Sequence, residues 1–84
     1  MKNLAEFKRT IQVGQVWSAY NHPMNKNLGP RKVKTVQSNA CSFETVRGES
    51  WLQYPKAKDF RPINDNTFQI YENETLILTY KREL

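Results

Sequence analysis

Short runs of alternating apolar and polar residues recur along this chain, separated by turn-forming residues. The clearest pair is Thr67–Tyr71 and Thr75–Lys81, with a polar turn at residues 72–74 between them. An alternation of period two places one set of side chains on a single face of each strand. A helix would instead need apolar residues three and four apart, so this pattern predicts a β-hairpin. Its predicted core face consists of Phe68, Ile70, Leu76, Leu78 and Tyr80.

A second predicted hairpin covers Gly29–Val46, where β-branched and aromatic residues lie on both sides of a Ser-Asn pair at residues 38–39. These residue types favour the pleated surface of a sheet, and Asn tolerates the left-handed backbone of a tight turn. The first strand of this hairpin also carries Arg31, Lys32 and Lys34. One strand is therefore expected to supply both a wall of the core and a basic surface.

Residues 11–20 predict a further strand, whose alternation changes at Gly14. A glycine at such a point is typical of a bulge or a sharp bend. After the bend, Val16, Ser18 and Tyr20 share one face, and Trp17 points to the opposite side. If Val16 lies in the core, Trp17 is expected to be at least partly exposed.

The N-terminal residues 1–9 predict a short helix. Asn3 is placed to cap it, with Glu6 three residues later as in a capping box. About two turns of helix are not stable alone in water. We therefore expect Leu4 and Phe7, which share one face, to pack against the rest of the fold.

Five such strands, a long loop at residues 21–30 and an irregular segment at residues 51–62 indicate a curved antiparallel sheet that closes on itself. With 84 residues the chain is expected to form a single domain. The order of elements over residues 11–81 resembles the small barrels of the Src-homology-3 (SH3) type. That resemblance implies a mainly β fold, a five-stranded antiparallel SH3-like barrel with the short helix of residues 1–9 beside it.

Positive charge is concentrated in the first half of the chain. The net charge is +5, and residues 1–40 hold seven of the thirteen Lys and Arg residues but only one of the eight acidic residues. Clustered cations favour a polyanionic partner, although the same net charge is ordinary for a solvated small domain. In length and charge the chain also resembles the small accessory proteins of phages and mobile elements.

Cysteine content and hydropathy bear on location. Cys41 is the only cysteine, so the chain can form neither an internal disulfide nor a Cys-based zinc site. No apolar run has the length that a signal peptide or a membrane span needs. The sequence therefore predicts a cytoplasmic protein without a membrane partner.

Catalytic residue patterns are weak. His22 has no second ligand at metal-binding spacing, and Cys41, within a predicted strand, is expected to be a small core residue. Nucleophilic catalysis needs a nucleophile beside its base, and the carboxylates are scattered. The sequence predicts no enzyme activity, no cofactor and no metal site.

The preferred interpretation is a non-catalytic module that binds nucleic acid through a basic and aromatic face of the barrel. Lys and Arg would contact phosphates, while Trp and Tyr would stack on bases, with Trp51 the main stacking platform. Trp and Tyr also fill small cores, so about half of the four candidate rings are expected to be buried. The candidate binding residues are Arg31, Lys32, Lys34, Trp51, Tyr54, Lys56, Lys58, Arg61, Trp17 and Tyr20.

Two alternatives use the same residues. The first is an inhibitor from a phage or mobile element that binds a host protein such as a nuclease, because Trp, Tyr and Arg are the usual anchors of protein interfaces. The second is capture of a small phosphorylated nucleotide in a basic pocket between protomers. It needs the same cations and rings but fewer phosphate contacts.

Overall fold

All residues from 1 to 84 are described by a computed structural model, in which one antiparallel sheet forms most of the fold. The strand order is β4-β3-β2-β1-β7-β6-β5, and the sheet is not closed, so β4 and β5 are its free edges. A 3₁₀ turn, Ala57–Asp59, joins these two edge strands. The elements are α1 (Leu4–Thr10), β1 (Val16–Asn21), β2 (Lys26–Val36), β3 (Ala40–Thr45), β4 (Gly48–Gln53), β5 (Phe60–Asn64), β6 (Thr67–Glu72) and β7 (Thr75–Arg82).

The prediction of a mainly β fold with one short N-terminal helix is confirmed, but the five-stranded closed barrel is wrong. The additional strands, β4 and β5, come from the segment at residues 51–62 that was expected to be irregular, together with its flanks. Pro62 concealed β5, since proline cannot donate to a strand ladder and is tolerated mainly at sheet edges. Residues 21–30, expected as a long loop, instead belong largely to a tight β1–β2 hairpin.

The sheet is bent by irregular pairing. Bulges insert an extra residue into one strand and increase the local twist. Such shifts occur once in each of four strand pairs, β1–β2, β2–β3, β5–β6 and β6–β7. This bending allows one sheet to wrap around a core.

Phe7 of α1 occupies the centre of that core. Its side chain is 1% exposed, and its ring centre lies 5.7 Å from that of Tyr54, just after β4, and 5.4 Å from that of Phe60, at the start of β5. Seven strands laid flat would hold their outermost members about 29 Å apart. Contact of one ring with residues from both edges therefore requires strong curvature, and α1 fills the space between the edges.

Local interactions at the N-terminus hold α1 in place. The Asn3 side chain accepts a hydrogen bond from the Glu6 backbone N–H at 2.9 Å, which confirms the predicted cap. The terminal ammonium of Met1 pairs with the carboxylate of Asp65 in the β5–β6 turn. Leu4 is buried together with Phe7, as the sequence predicts.

The face of β1 that is buried is the one that carries Trp17, not the one that carries Val16. Trp17 and Ala19 are buried on the inner face of the sheet, whereas Val16 and Tyr20 lie on the outer face and are partly exposed. The strand begins only at Val16, after a turn in which Gly14 has a φ of +96°. Residues before that turn therefore do not set the orientation of β1.

The last hairpin largely follows its predicted pattern. Phe68, Ile70 and Tyr80 are buried, and Leu78 packs partly buried against them. The prediction for Leu76 is wrong, because the register of β6 and β7 shifts between Ile70 and Tyr71, and Ile77 packs against the core instead. The core is completed by residues from α1 and from all seven strands. The buried core cluster consists of Leu4, Phe7, Ile11, Trp17, Ala19, Val33, Cys41, Phe43, Leu52, Phe60, Phe68, Ile70 and Tyr80.

No helix in the structure combines the length and the apolar character that crossing a membrane would take.

Replacement of Phe7 tests the role of α1. We expect Phe7→Ala to lower the free energy of unfolding by about 3–5 kcal/mol, because the change leaves a cavity among four aromatic rings. Urea denaturation followed by circular dichroism measures the effect. Val46→Ala is the control, since Val46 is exposed and its replacement should leave the midpoint unchanged. Equal midpoints for Phe7→Ala and wild type would contradict this account of the core.

Candidate functional site

The three cations of the predicted basic strand point to different sides of β2. Arg31 is 8% exposed on the inner face, with its guanidinium carbon 5.6 Å from the centre of the Phe43 ring. Lys32 is exposed on the outer face, opposite Glu44 in register. Lys34 forms an ion pair with Glu49 at 2.9 Å. The strand therefore presents no continuous surface of free positive charge, because Arg31 is buried and Glu49 pairs with Lys34, which leaves Lys32 as the one exposed cation of the three without an ion pair.

Two of the four candidate rings belong to the core. Trp17 is 3% exposed and packs edge-on against Phe7 and Phe68. Tyr54 is half-buried, also edge-on to Phe7. These two rings are not available for base stacking.

Trp51 is 48% exposed, but its indole is held by a local network. Its Nε1–H donates to one carboxylate oxygen of Glu49 at 2.9 Å, while the Lys34 ammonium donates to the other at 2.9 Å. Two hydrogen bonds lower the pKa of Glu49, and the one from Lys34 has a larger effect than the one from Trp51. The hydrogen bond between Lys34 and Glu49 also raises the pKa of Lys34. Trp51 therefore lies beside a neutralised ion pair rather than beside free cations.

The segment between the edge strands keeps its cations in solvent. Lys56 and Lys58 are exposed around the 3₁₀ turn. The Lys8 ammonium of α1 lies 5.5 Å from the centre of the Tyr54 ring nearby. Arg61 extends along the outer face of β5, with its guanidinium 4.7 Å from the centre of the Tyr71 ring, a distance typical of a cation–π contact.

Strand register places Tyr20 and Arg61, both candidates from the sequence, in one line across the outer face. Tyr20 of β1 faces Thr79 of β7, Thr79 faces Gln69 of β6, and Gln69 faces Arg61 of β5. Four neighbouring strands at their usual separation give this line a length of about 14 Å. We call it, with the two rings described next, the outer-face row.

Side-chain contacts join the outer-face row into one surface. The His22 Nε2 lies 2.7 Å from the Thr79 hydroxyl, and the His22 ring packs edge-on against Tyr20 at 4.9 Å. Gln69 donates to the same hydroxyl at 3.3 Å. At the other end Arg61 covers the ring of Tyr71. The outer-face row consists of Tyr20, His22, Thr79, Gln69, Arg61 and Tyr71.

The chemistry of this row suits planar, neutral or anionic ligands. It offers three rings, one guanidinium and two polar hydrogen-bonding side chains, and none of its members carries a carboxylate. The adjoining line across the same strands contains Ser18, Lys81 and Thr67, which adds a second cation and again no acid.

Sequence reasoning did not single out four members of the row: His22, Thr79, Gln69 and Tyr71. The alternation in the last hairpin did place Gln69, Tyr71 and Thr79 away from the core. That alternation does not predict the pairing of β1 with β7, which brings Tyr20 and His22 next to these three residues.

The structure assembles no catalytic group from the residues considered. Cys41 is fully buried on the inner face, whereas His22 contacts Thr79 on the outer face, so the sheet separates them. No group of three or more His, Cys, Asp or Glu side chains is positioned to hold a metal ion. Burial raises the pKa of Tyr54, and the neighbouring Cys41 adds to that rise.

No protein-family model, curated protein or solved structure matches this chain. The resemblances to SH3-type barrels and to phage accessory proteins therefore rest on the sequence alone. Of the first, the structure bears out only a small, mainly β antiparallel sheet domain.

The environment of Cys41 leads to a reactivity prediction. Burial raises the pKa of its thiol to about 11, so the thiolate is scarce at neutral pH and shielded as well. We expect the folded protein at pH 8 to react with a thiol reagent such as Ellman's reagent much more slowly than the urea-unfolded protein. Rapid stoichiometric reaction in the native state would show that β3 opens readily or that Cys41 is exposed.

Protonation of Glu49 is expected to change the NMR shift of the Trp51 indole N–H. The Trp51–Glu49 hydrogen bond is present above the lowered pKa of Glu49 and is lost as the pH falls through it. We expect Lys34→Ala to shift this midpoint to higher pH, because the largest cause of the lowered pKa is removed. The measurement is the NMR shift of the Trp51 indole N–H against pH, with Lys56→Ala as the control that leaves the midpoint in place. An unchanged midpoint in Lys34→Ala would refute the role of the ion pair.

Proposed function

We propose that this chain is a non-catalytic binding module that holds single-stranded nucleic acid on the outer-face row. The observation that carries the proposal is the alignment of Tyr20, Thr79, Gln69 and Arg61 across four strands, with rings at both ends and no carboxylate among them. The interface differs from the basic and aromatic face expected from the sequence, with which it shares only Tyr20 and Arg61.

Size and geometry support a single strand. Antiparallel sheets that bind single-stranded RNA stack two or three bases on aromatic side chains, and a row of about 14 Å accommodates that number. The rings of Tyr20 and Tyr71 lie toward opposite ends of the row and are both partly exposed. Each base stacked on a ring contributes about 1–3 kcal/mol to binding.

The exposed cations near this row favour binding of the anionic backbone of a nucleic acid. Arg61 is exposed and forms no ion pair within the chain, since the ion pairs present involve only Met1 and Lys34 as cations. Lys81, in the adjoining line, and Lys58, just before β5, are exposed on the same half of the sheet. Thr79 and Gln69 supply polar atoms for base edges between these cations. A hydroxyl and an amide placed in this way favour contacts that tolerate different bases.

The experiment is fluorescence anisotropy with labelled single-stranded DNA, single-stranded RNA and duplex DNA over a salt series. We expect Tyr71→Ala to weaken single-strand binding by about tenfold or more, because a stacking ring is lost. Arg61→Ala should weaken binding and reduce the log–log salt slope by about 0.7, the value for one phosphate contact on a single strand.

Matched variants distinguish binding at the outer-face row from non-specific attraction to the positive charge of the chain. Arg9→Ala removes the same charge from the exposed side of α1, outside the row, and we expect it to leave the salt slope nearly unchanged. Trp51→Ala removes an exposed ring outside the row. Loss of binding in Trp51→Ala but not in Tyr71→Ala would contradict the proposed location. Absence of binding at low salt, with a protein partner recovered in stoichiometric amount, would favour the inhibitor alternative.

A further inference from the structure

A cleft of about 370 Å³ opens between the first residues of β2 and the β3–β4 turn. It lies at one end of the inner face, so it is separate from the outer-face row and does not depend on the function proposed for that row. Its volume is within the range of small-molecule sites, at the lower end. The residues that matter for the argument are Lys26, Leu28, Arg31, Arg47, Glu49 and Ser50.

Arg31 lines this cleft as a buried cation without a countercharge. More than nine-tenths of the residue is buried, and no carboxylate lies within 4 Å of its guanidinium. Its Nη2 donates one long hydrogen bond of 3.4 Å to the Leu28 carbonyl, and its Nε has no hydrogen-bond partner. A guanidinium carries five N–H donors, and leaving a buried charge so poorly satisfied is costly. The Phe43 ring, 5.6 Å away, and the neighbouring Tyr80 hydroxyl offset part of that cost, but neither carries a negative charge at neutral pH.

Two further cations lie at the cleft, and the single carboxylate there is already paired. Lys26 and Arg47 are exposed and have no ion-pair partner within the chain. The one carboxylate at the cleft, that of Glu49, already accepts hydrogen bonds from Lys34 and Trp51. Ser50 adds a hydroxyl. The charges around the cleft therefore favour binding of an anion.

We propose that this cleft binds the phosphate group of a small phosphate monoester, with Arg31 as the buried anchor and Lys26 and Arg47 at the entrance. The planar guanidinium fork matches phosphate oxygens, and phosphate carries up to two negative charges, which suits three cations better than a single carboxylate does. Free phosphate and a nucleoside monophosphate share this chemistry, so the experiment compares the two.

The first measurement is the melting temperature in potassium phosphate and in potassium chloride of equal ionic strength. A ligand that binds only the folded state stabilises it, and about 20 mM phosphate should raise the wild-type Tm by about 5 °C or more over chloride. Phosphate also stabilises proteins non-specifically, so the variants decide the origin of the shift. We expect Arg31→Met to lose the additional shift and Lys32→Met, one residue away on the outer face, to keep it.

Arg31→Met is also informative without ligand. Methionine fills a similar volume and removes the unpaired charge, so we expect its Tm in chloride to equal or exceed that of wild type. A lower Tm in chloride with a retained phosphate response would show that Arg31 is a structural residue and would overturn the proposal. So would an absence of any difference between phosphate and chloride in wild type.

Titration calorimetry with inorganic phosphate and with adenosine 5′-monophosphate gives a second test. We expect Arg47→Gln, a variant in an exposed turn, to fold normally and to weaken binding of both probes by about threefold or more. A tighter Kd for the nucleotide would identify a nucleotide as the source of the phosphate, and equal Kd values would identify the free anion. An Arg47→Gln variant that binds both probes as wild type does would contradict the proposed charge arrangement.

Discussion

The packing of Phe7 among aromatic rings from β1, β5, β6 and the end of β4 is the interaction on which this structure depends most. An open antiparallel sheet buries one face only if something covers it, and a chain of this size has few residues to spare for a second layer. Here a helix of seven residues provides the cover, because bulges curve the sheet until residues next to both edges reach the same side chain. The helix in turn is too short to be stable without that contact.

This arrangement gives the two faces of the sheet different chemistry. The inner face is apolar and aromatic, apart from Arg31 at one end, and Cys41 on it is fully buried. On the outer face, the register of β5, β6, β7 and β1 aligns tyrosine and arginine side chains, and His22 packs beside them. Binding is therefore proposed in two places, on the outer face and at the end of the inner face.

The distribution of positive charge follows from the same geometry. A basic strand in the sequence does not remain a basic surface when alternate side chains point to opposite faces and acidic residues of neighbouring strands lie alongside. Lys34 is neutralised by Glu49, Lys32 faces Glu44, and Arg31 is enclosed. Lys32 alone of the three stays in solvent without an ion pair, and other exposed cations lie on different elements, among them Arg61, Lys81 and Arg47 of the β3–β4 turn. The net charge of the chain therefore does not show where on the surface free positive charge lies.

Some features were predictable because each depends on residues close together in the chain. They are the mainly β character of the fold, the turns of the two predicted hairpins and the capped N-terminal helix. The alternation around Phe68 and the cap at Asn3 are local signals that tertiary packing did not override. The edge strands β4 and β5 were not predictable in the same way. Their residues pair with neighbours and pack on α1, and Pro62 obscures the local pattern.

The sequence by itself thus determined that this protein is mainly β, that a short helix must pack against the sheet, and that its positive charge exceeds its negative charge. Only the tertiary structure decided that Trp17 is core, that Tyr20 aligns with Arg61, and that Arg31 lines a cleft without a countercharge. The physical reason is that these facts depend on which strands are neighbours. The pairing of β1 with β7 joins residues some 60 positions apart, and no local pattern specifies it.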